Sequence, residues 1–101
     1  MKTEIFDCIL KAVADVTELS QIDILSTNKA SDIVEARALV IHFGKRYGLS
    51  NRYLQLKLNR KSTYAVRYLA KEFYSMEKSS FSFREAIQQA GQIITNKLVK
   101  T

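Results

Sequence analysis

The sequence predicts an all-α fold, a compact bundle of about six helices in one domain, and three observations carry that expectation. The chain has no Pro and three Gly in 101 residues, too few turn residues for a fold of many short strands. Its apolar residues recur three and four positions apart, the helical period, rather than alternating. Serines stand just before several of these stretches, where a side-chain oxygen can accept from the free N–H groups of a first turn. With 47% hydrophobic residues the chain can bury one core, and its length suits one domain spanning residues 1–101.

A first helix is expected over residues 3–16, with Thr3 as N-cap and Ile5, Ile9, Ala12, Val13 and Val16 forming its stripe, widened by Phe6 and Leu10. Ser20 caps a short second helix through residues 21–25, with Ile22 and Leu25 pointing inward. The polar stretch 26–30 reads as a loop. Ser31 restarts helix, and Ile33, Ala36, Val40 and Phe43, broadened by Leu39 and Ile41, make this third helix central to the core. It ends at Tyr47-Gly48, where Gly48 suits a left-handed terminus and Lys45 and Arg46 face the negative end of the dipole. Ser50 caps a fourth helix over residues 51–58, and Asn59-Arg60-Lys61 supplies a tight turn without Gly or Pro. Ser62 caps a fifth helix to about Met76, and residues 77–80 form a loop. Ser82, with Glu85 completing a capping box, opens a last helix over residues 82–99 with Phe83, Ile87, Ala90, Ile94 and Leu98 as its stripe.

The formal net charge is +6, and its distribution is uneven. Residues 1–43 hold four basic against seven acidic residues, a balance of −3. Residues 44–78 hold nine basic residues against Glu72 and Glu77, a balance of +7. A concentration of cations in one third of the chain suits a polyanion, because each neutralised phosphate releases condensed counterions. Other classes lack their signatures. No apolar run approaches the roughly 18 residues that cross a bilayer, and the first residues lack a signal-peptide core, so a cytoplasmic protein is expected. Cys8, the one cysteine, cannot form an intrachain disulfide and reads as a buried structural thiol. His42, the one histidine, lies between Ile41 and Phe43 and reads as a packing or surface residue rather than a general base. With no metal-ligand cluster, phosphate loop or nucleophile constellation, neither a metal, a cofactor nor an enzymatic activity is expected.

Residues 50–76 read as a helix-turn-helix, in which the first helix crosses the DNA backbone and the second lies in the major groove. Lys61, Ser62, Thr63 and Tyr64 occupy the amino end of the second helix, and Arg67 and Lys71 continue the same face. Ala65, Tyr68, Leu69 and Phe73 make up the opposite, apolar face. Base contacts are therefore expected from Lys61, Thr63, Tyr64 and Arg67. Arg67, whose fork matches guanine O6 and N7, is the strongest candidate. Tyr64 has two uses open, a thymine methyl or sugar on one side and a neighbouring helix on the other. Phosphate contacts are expected from Lys45, Arg46, Arg52, Lys57, Arg60, Ser62 and Lys71, with Lys29 of the preceding loop beside them.

The segment Val34-Glu35-Ala36-Arg37, followed by two short helices, resembles the carboxyl-terminal DNA-binding domain of the bacterial replication initiator DnaA, a Trp-repressor-like helix-turn-helix. The resemblance covers about residues 5–76 and implies double-stranded DNA as partner, with Arg37 supporting the contact to the backbone. The family's loop before this helix is rich in Arg, whereas residues 27–32 carry Lys29 alone against Asp32. Its Gly-Gly-Arg-Asp-His-Thr-Thr-Val signature corresponds here to residues 59–65, which keep Arg60 and Thr63. These departures imply a different DNA target, and they leave a second reading open, a protein-interaction module on the same fold. The initiator's ATPase module has no counterpart, so the resemblance implies a stand-alone regulator or mobile-element accessory protein. The last helix is apolar enough either to close the core or to pair two copies.

Overall fold

The computed structural model describes residues 1–99 and is all-helical among them. Six helices follow one another: α1 (Lys2–Thr17), α2 (Gln21–Leu25), α3 (Ser31–Arg46), α4 (Asn51–Lys57), α5 (Thr63–Ser79) and α6 (Phe81–Leu98). The third helix is the axis of the bundle. Ile33, Ala36, Arg37, Ala38, Leu39, Val40, Ile41, Phe43 and Gly44 are all buried along it, and it touches each of the other five helices. Three consecutive buried residues, Leu39, Val40 and Ile41, require neighbours all round, which is what the broad apolar face foretold. Gly44 permits the closest approach, since a Cβ there would stand 2.7 Å from Leu54 Cδ2.

Helix ends follow local chemistry, with four corrections to the expected caps. Ser20 and Ser50 accept from the N–H groups of Asp23 and Tyr53, at 3.0 and 3.1 Å. Ser31 lies inside α3, whose N-cap is Ala30; Asn28 Oδ1 instead holds the Ala30 N–H at 2.8 Å. Ser62 precedes α5 without a capping hydrogen bond. The loop expected over residues 77–80 is absent. Here α5 runs on to Ser79, and Ser80 alone turns the chain and caps α6 by accepting from the Phe83 N–H at 3.1 Å, the role assigned to Ser82. Thr3 likewise falls within α1.

Two termini share one geometry. Gly48, at φ 91°, donates to Lys45 O, while Leu49 N–H reaches back to Gly44 O at 2.8 Å. Asn59, at φ 58°, donates to Leu56 O, while Arg60 N–H reaches Gln55 O at 2.9 Å. Both are the paired 5→2 and 6→1 bonds that satisfy the last carbonyls of a helix. Asn visits the left-handed region more readily than other non-Gly residues, which is how the turn after α4 dispenses with glycine. Gln55 Nε2 donates to Arg60 O at 2.9 Å and closes the turn from the side.

The core joins Phe6, Ile9, Leu10, Val13, Ile24, Leu39, Val40, Leu54, Leu58, Val66, Phe73, Phe83 and Ile94, with smaller residues between. In α2 the inward residue is Ile24, fully buried, while Ile22 is 80% exposed. A five-residue helix offers too short a stripe to fix its rotation from sequence. The last helix closes the core: Phe83, Ala90 and Ile94 are buried, and α6 packs most extensively on α1. With that stripe inside, pairing of two copies through α6 would have Phe81 and Val99 as its exposed apolar contacts. Cys8 is half-buried on α1, and burial raises its thiol pKa. No described helix is long and apolar enough to cross a membrane.

His42 stacks flat on Phe73, with ring centroids 4.0 Å apart, and meets Phe43 edge-on. Burial lowers its pKa below 6.5, Arg46 lowers it further, and Glu77 partly opposes them. The unfolded chain binds a proton at His42 near pH 6.5, whereas the folded chain holds the ring neutral to lower pH. Stability is therefore full above about pH 7 and declines as pH falls through 6.5 towards the folded value. Urea midpoints are expected to drop between about pH 7.5 and 5.5 and to flatten in His42→Gln.

Candidate nucleic-acid interface

The orientation of α5 is set by the residues it buries. Val66 and Phe73, at 0% and 3% exposure, lie seven apart on the side facing α3, with Leu69 and Ala70 half-buried between them. Two turns of helix separate positions seven apart, so this line fixes the opposite side as solvent-facing. Tyr64, Arg67, Tyr68, Lys71, Tyr74, Ser75 and Lys78 are exposed along it, and Lys61 is exposed in the turn just before. The carboxyl half of α5 meets α6 through Phe73 and Phe83, whose rings are 5.3 Å apart. Tyr64, Arg67, Tyr68 and Lys71 therefore share one open surface, with Lys61 exposed in the turn that leads into α5. Thr63 stands at the first helical position and is half-buried, beside that surface rather than on it.

Tyr68 corrects the expected apolar face. It is 50% exposed, and its ring stacks on that of Tyr64 at 6.2 Å. Val66 takes the core position instead. The seven-residue spacing of Val66 and Phe73 is the signal in the sequence for this rotation.

The expected phosphate contacts fall into three groups. Arg46, Arg52, Ser62, Lys71 and Lys29 are exposed, and Lys45, also exposed, donates to Asn51 Oδ1 at 2.9 Å. Lys57 and Arg60 are half-buried and already engaged. The Lys57 ammonium sits 5.6 Å from the centre of the Phe6 ring and 5.9 Å from that of Tyr53. Arg60 donates to Ser26 O at 2.6 Å and to Leu58 O at 2.9 Å.

Arg37 is a correction. It is 2% exposed, so no phosphate reaches it. Its Nε donates to Ile24 O at 2.7 Å, and its Nη2 donates to Ser26 O and, at 3.4 Å, to Asp23 O. The guanidinium thus caps the end of α2 from the side of α3. Burial, and secondarily the like charge of Arg60, lowers its pKa from the usual guanidinium range, though a guanidinium stays charged in any accessible range. Ser26 O accepts from both arginines, so the end of α2, the middle of α3 and the turn before α5 are tied at one carbonyl. Asn59 Nδ2 adds a bond to Leu25 O at 3.3 Å. This tie places the amino end of α5.

Among the described residues, the one ion pair joins the Met1 ammonium to Glu4, at 3.5 Å. Among the described residues, the cations of 44–78 are accordingly not neutralised by carboxylates within 4 Å. Arg67 and Lys71 exposed on α5, Lys61 in its leading turn, Lys45 and Arg46 beside Ala70 and Tyr74 of α5, and Arg52 on α4 can together neutralise several phosphates. Groups of three or more His, Cys, Asp or Glu side chains that could hold a metal are absent among the described residues. Comparison of the chain with protein-family models, with characterised proteins and with solved structures finds no significant match.

Proposed function

We propose that the protein binds double-stranded DNA with sequence preference, α4 and α5 acting as a helix-turn-helix and the amino half of α5 entering the major groove. The observation that carries this reading is the joint exposure of Tyr64, Arg67 and Lys71 on one side of α5, with Lys61 exposed in the turn before it, beside cations that no carboxylate of the described residues neutralises. Arg67 would read guanine, Lys61 and Tyr64 would contact neighbouring bases, and Thr63 would contribute from the helix start. Lys71, Arg46, Arg52, Lys45, Ser62 and Lys29 would hold phosphates and set the register. Arg37 has a different part in this scheme: it positions the turn from inside the fold. The likeness to the DnaA carboxyl-terminal domain belongs to the same reading, which casts the protein as a DNA-binding regulator or mobile-element accessory protein.

Selection of bound sequences from a random duplex library, repeated at two salt concentrations, tests the reading. The expected result is a recovered motif containing guanine, with total binding falling steeply at the higher salt. Recovery of no duplex at low salt would favour the alternative, a protein-interaction module on this fold.

A further inference from the structure

The open side of α5 carries more aromatic surface than a phosphate-binding helix requires. Tyr64 and Tyr68 are 67% and 50% exposed, and their rings lie 28° from parallel. Exposed tyrosine rings standing among Lys61, Arg67 and Lys71 need a partner that is anionic around its edge and apolar at one point. Duplex DNA has that character. Its major groove displays donors and acceptors at every pair, and one apolar group, the C5 methyl of thymine. The centroid spacing of 6.2 Å is a little under two base-pair rises of about 3.4 Å each, so the two rings match pairs on either side of one intervening pair instead of competing for one. Arg67 lies between them in sequence and on the same side.

We infer that Tyr64 and Tyr68 together read thymine methyl groups, and that the target is a duplex in which thymines adjoin the guanine contacted by Arg67. This rests on the reading of α5 as the recognition helix. It assigns specificity to Tyr68 and turns a general DNA-binding surface into one for T·A pairs flanking a G·C pair.

Replacement of each thymine by uracil in the best-bound duplex removes the methyl and nothing else. Affinity is expected to fall about four-fold for each methyl in contact, the factor that one buried carbon group is worth. Tyr64→Ala and Tyr68→Ala should bind more weakly and become indifferent to the replacement at their own positions. Tyr68→Phe should stay sensitive, because the ring and not the hydroxyl makes the contact. Both tyrosines are exposed, so thermal melts of these variants should match the parent. Equal affinity for the thymine and uracil duplexes overturns the inference while leaving DNA binding in place. Tighter binding of the single strand than of the duplex also overturns it, by assigning the rings to base stacking. Failure to bind any duplex overturns both this inference and the reading beneath it.

Discussion

Replacing Arg37 with alanine is expected to lower the unfolding free energy by about 3 kcal/mol, a large fraction of what a domain of this size has. The side chain donates to the carbonyls of Ile24, Ser26 and Asp23 from a position 2% exposed. Hydrogen bonds from a charged donor contribute roughly 1.5–3 kcal/mol each, and the carbonyls left behind would be poorly hydrated. Release of a buried cation to an apolar replacement offsets part of that cost, which is why the sum stays near 3 rather than 6. In a thermal melt the shift corresponds to about 12–24 °C. Arg37→Met separates the contributions: it keeps most of the volume and removes every donor, so a loss as large as that of alanine assigns the effect to the capping of α2. Arg37→Lys should recover little, because one ammonium cannot serve carbonyls that a planar fork reaches together. Urea denaturation with an unchanged slope is the measurement.

The second large effect is on binding. Arg67→Ala is expected to weaken the best-bound duplex by about 10- to 100-fold and to relax preference at one guanine. Since Arg67 is exposed and makes no hydrogen bond within the described residues, the unfolding midpoint should stay within about 0.5 kcal/mol of the parent. Lys71→Ala should act differently, weakening all duplexes alike and reducing the salt dependence by about one phosphate. Competition assays with matched and scrambled duplexes distinguish the two.

Much of the fold was legible because the helices are long and their stripes regular. The central place of α3 followed from the crowding of Ile33, Ala36, Leu39, Val40, Ile41 and Phe43, and all are buried. Gly48 and the Ser20 and Ser50 caps were legible because each depends on one residue and its own backbone. What failed depends on contacts distant in sequence. The exposure of Ile22 and burial of Ile24 are decided by packing of α2 on α3, not by a five-residue pattern. Ser82 offered a better capping box than Ser80, yet the chain turns at Ser80, where Phe83 reaches Phe73 and the core. In the site, Tyr64, Arg67 and Lys71 follow helical spacing and were read correctly as one surface. Tyr68 was expected inside with Ala65, Leu69 and Phe73, whereas Val66, seven residues before Phe73, takes the core position. The backbone contact expected of Arg37 came from the resemblance to the DnaA carboxyl-terminal domain, not from its surroundings in this chain. Arg37's signal was present, a single cation within the run Ala36 to Ile41, but its partners are backbone carbonyls, which every sequence possesses and none displays.

The central claim is that the uncompensated cations of α5 and its neighbours meet the phosphates of a duplex. Titration of one labelled duplex over a range of salt tests it most directly, comparing the parent with an Arg46→Gln, Arg52→Gln, Lys71→Gln variant. The parent should show log affinity falling linearly with log salt, with a slope of about −4 to −5, and the variant should lose about three phosphates' worth of that slope. A parent whose affinity ignores salt, or a variant with the parent's slope, would contradict the account.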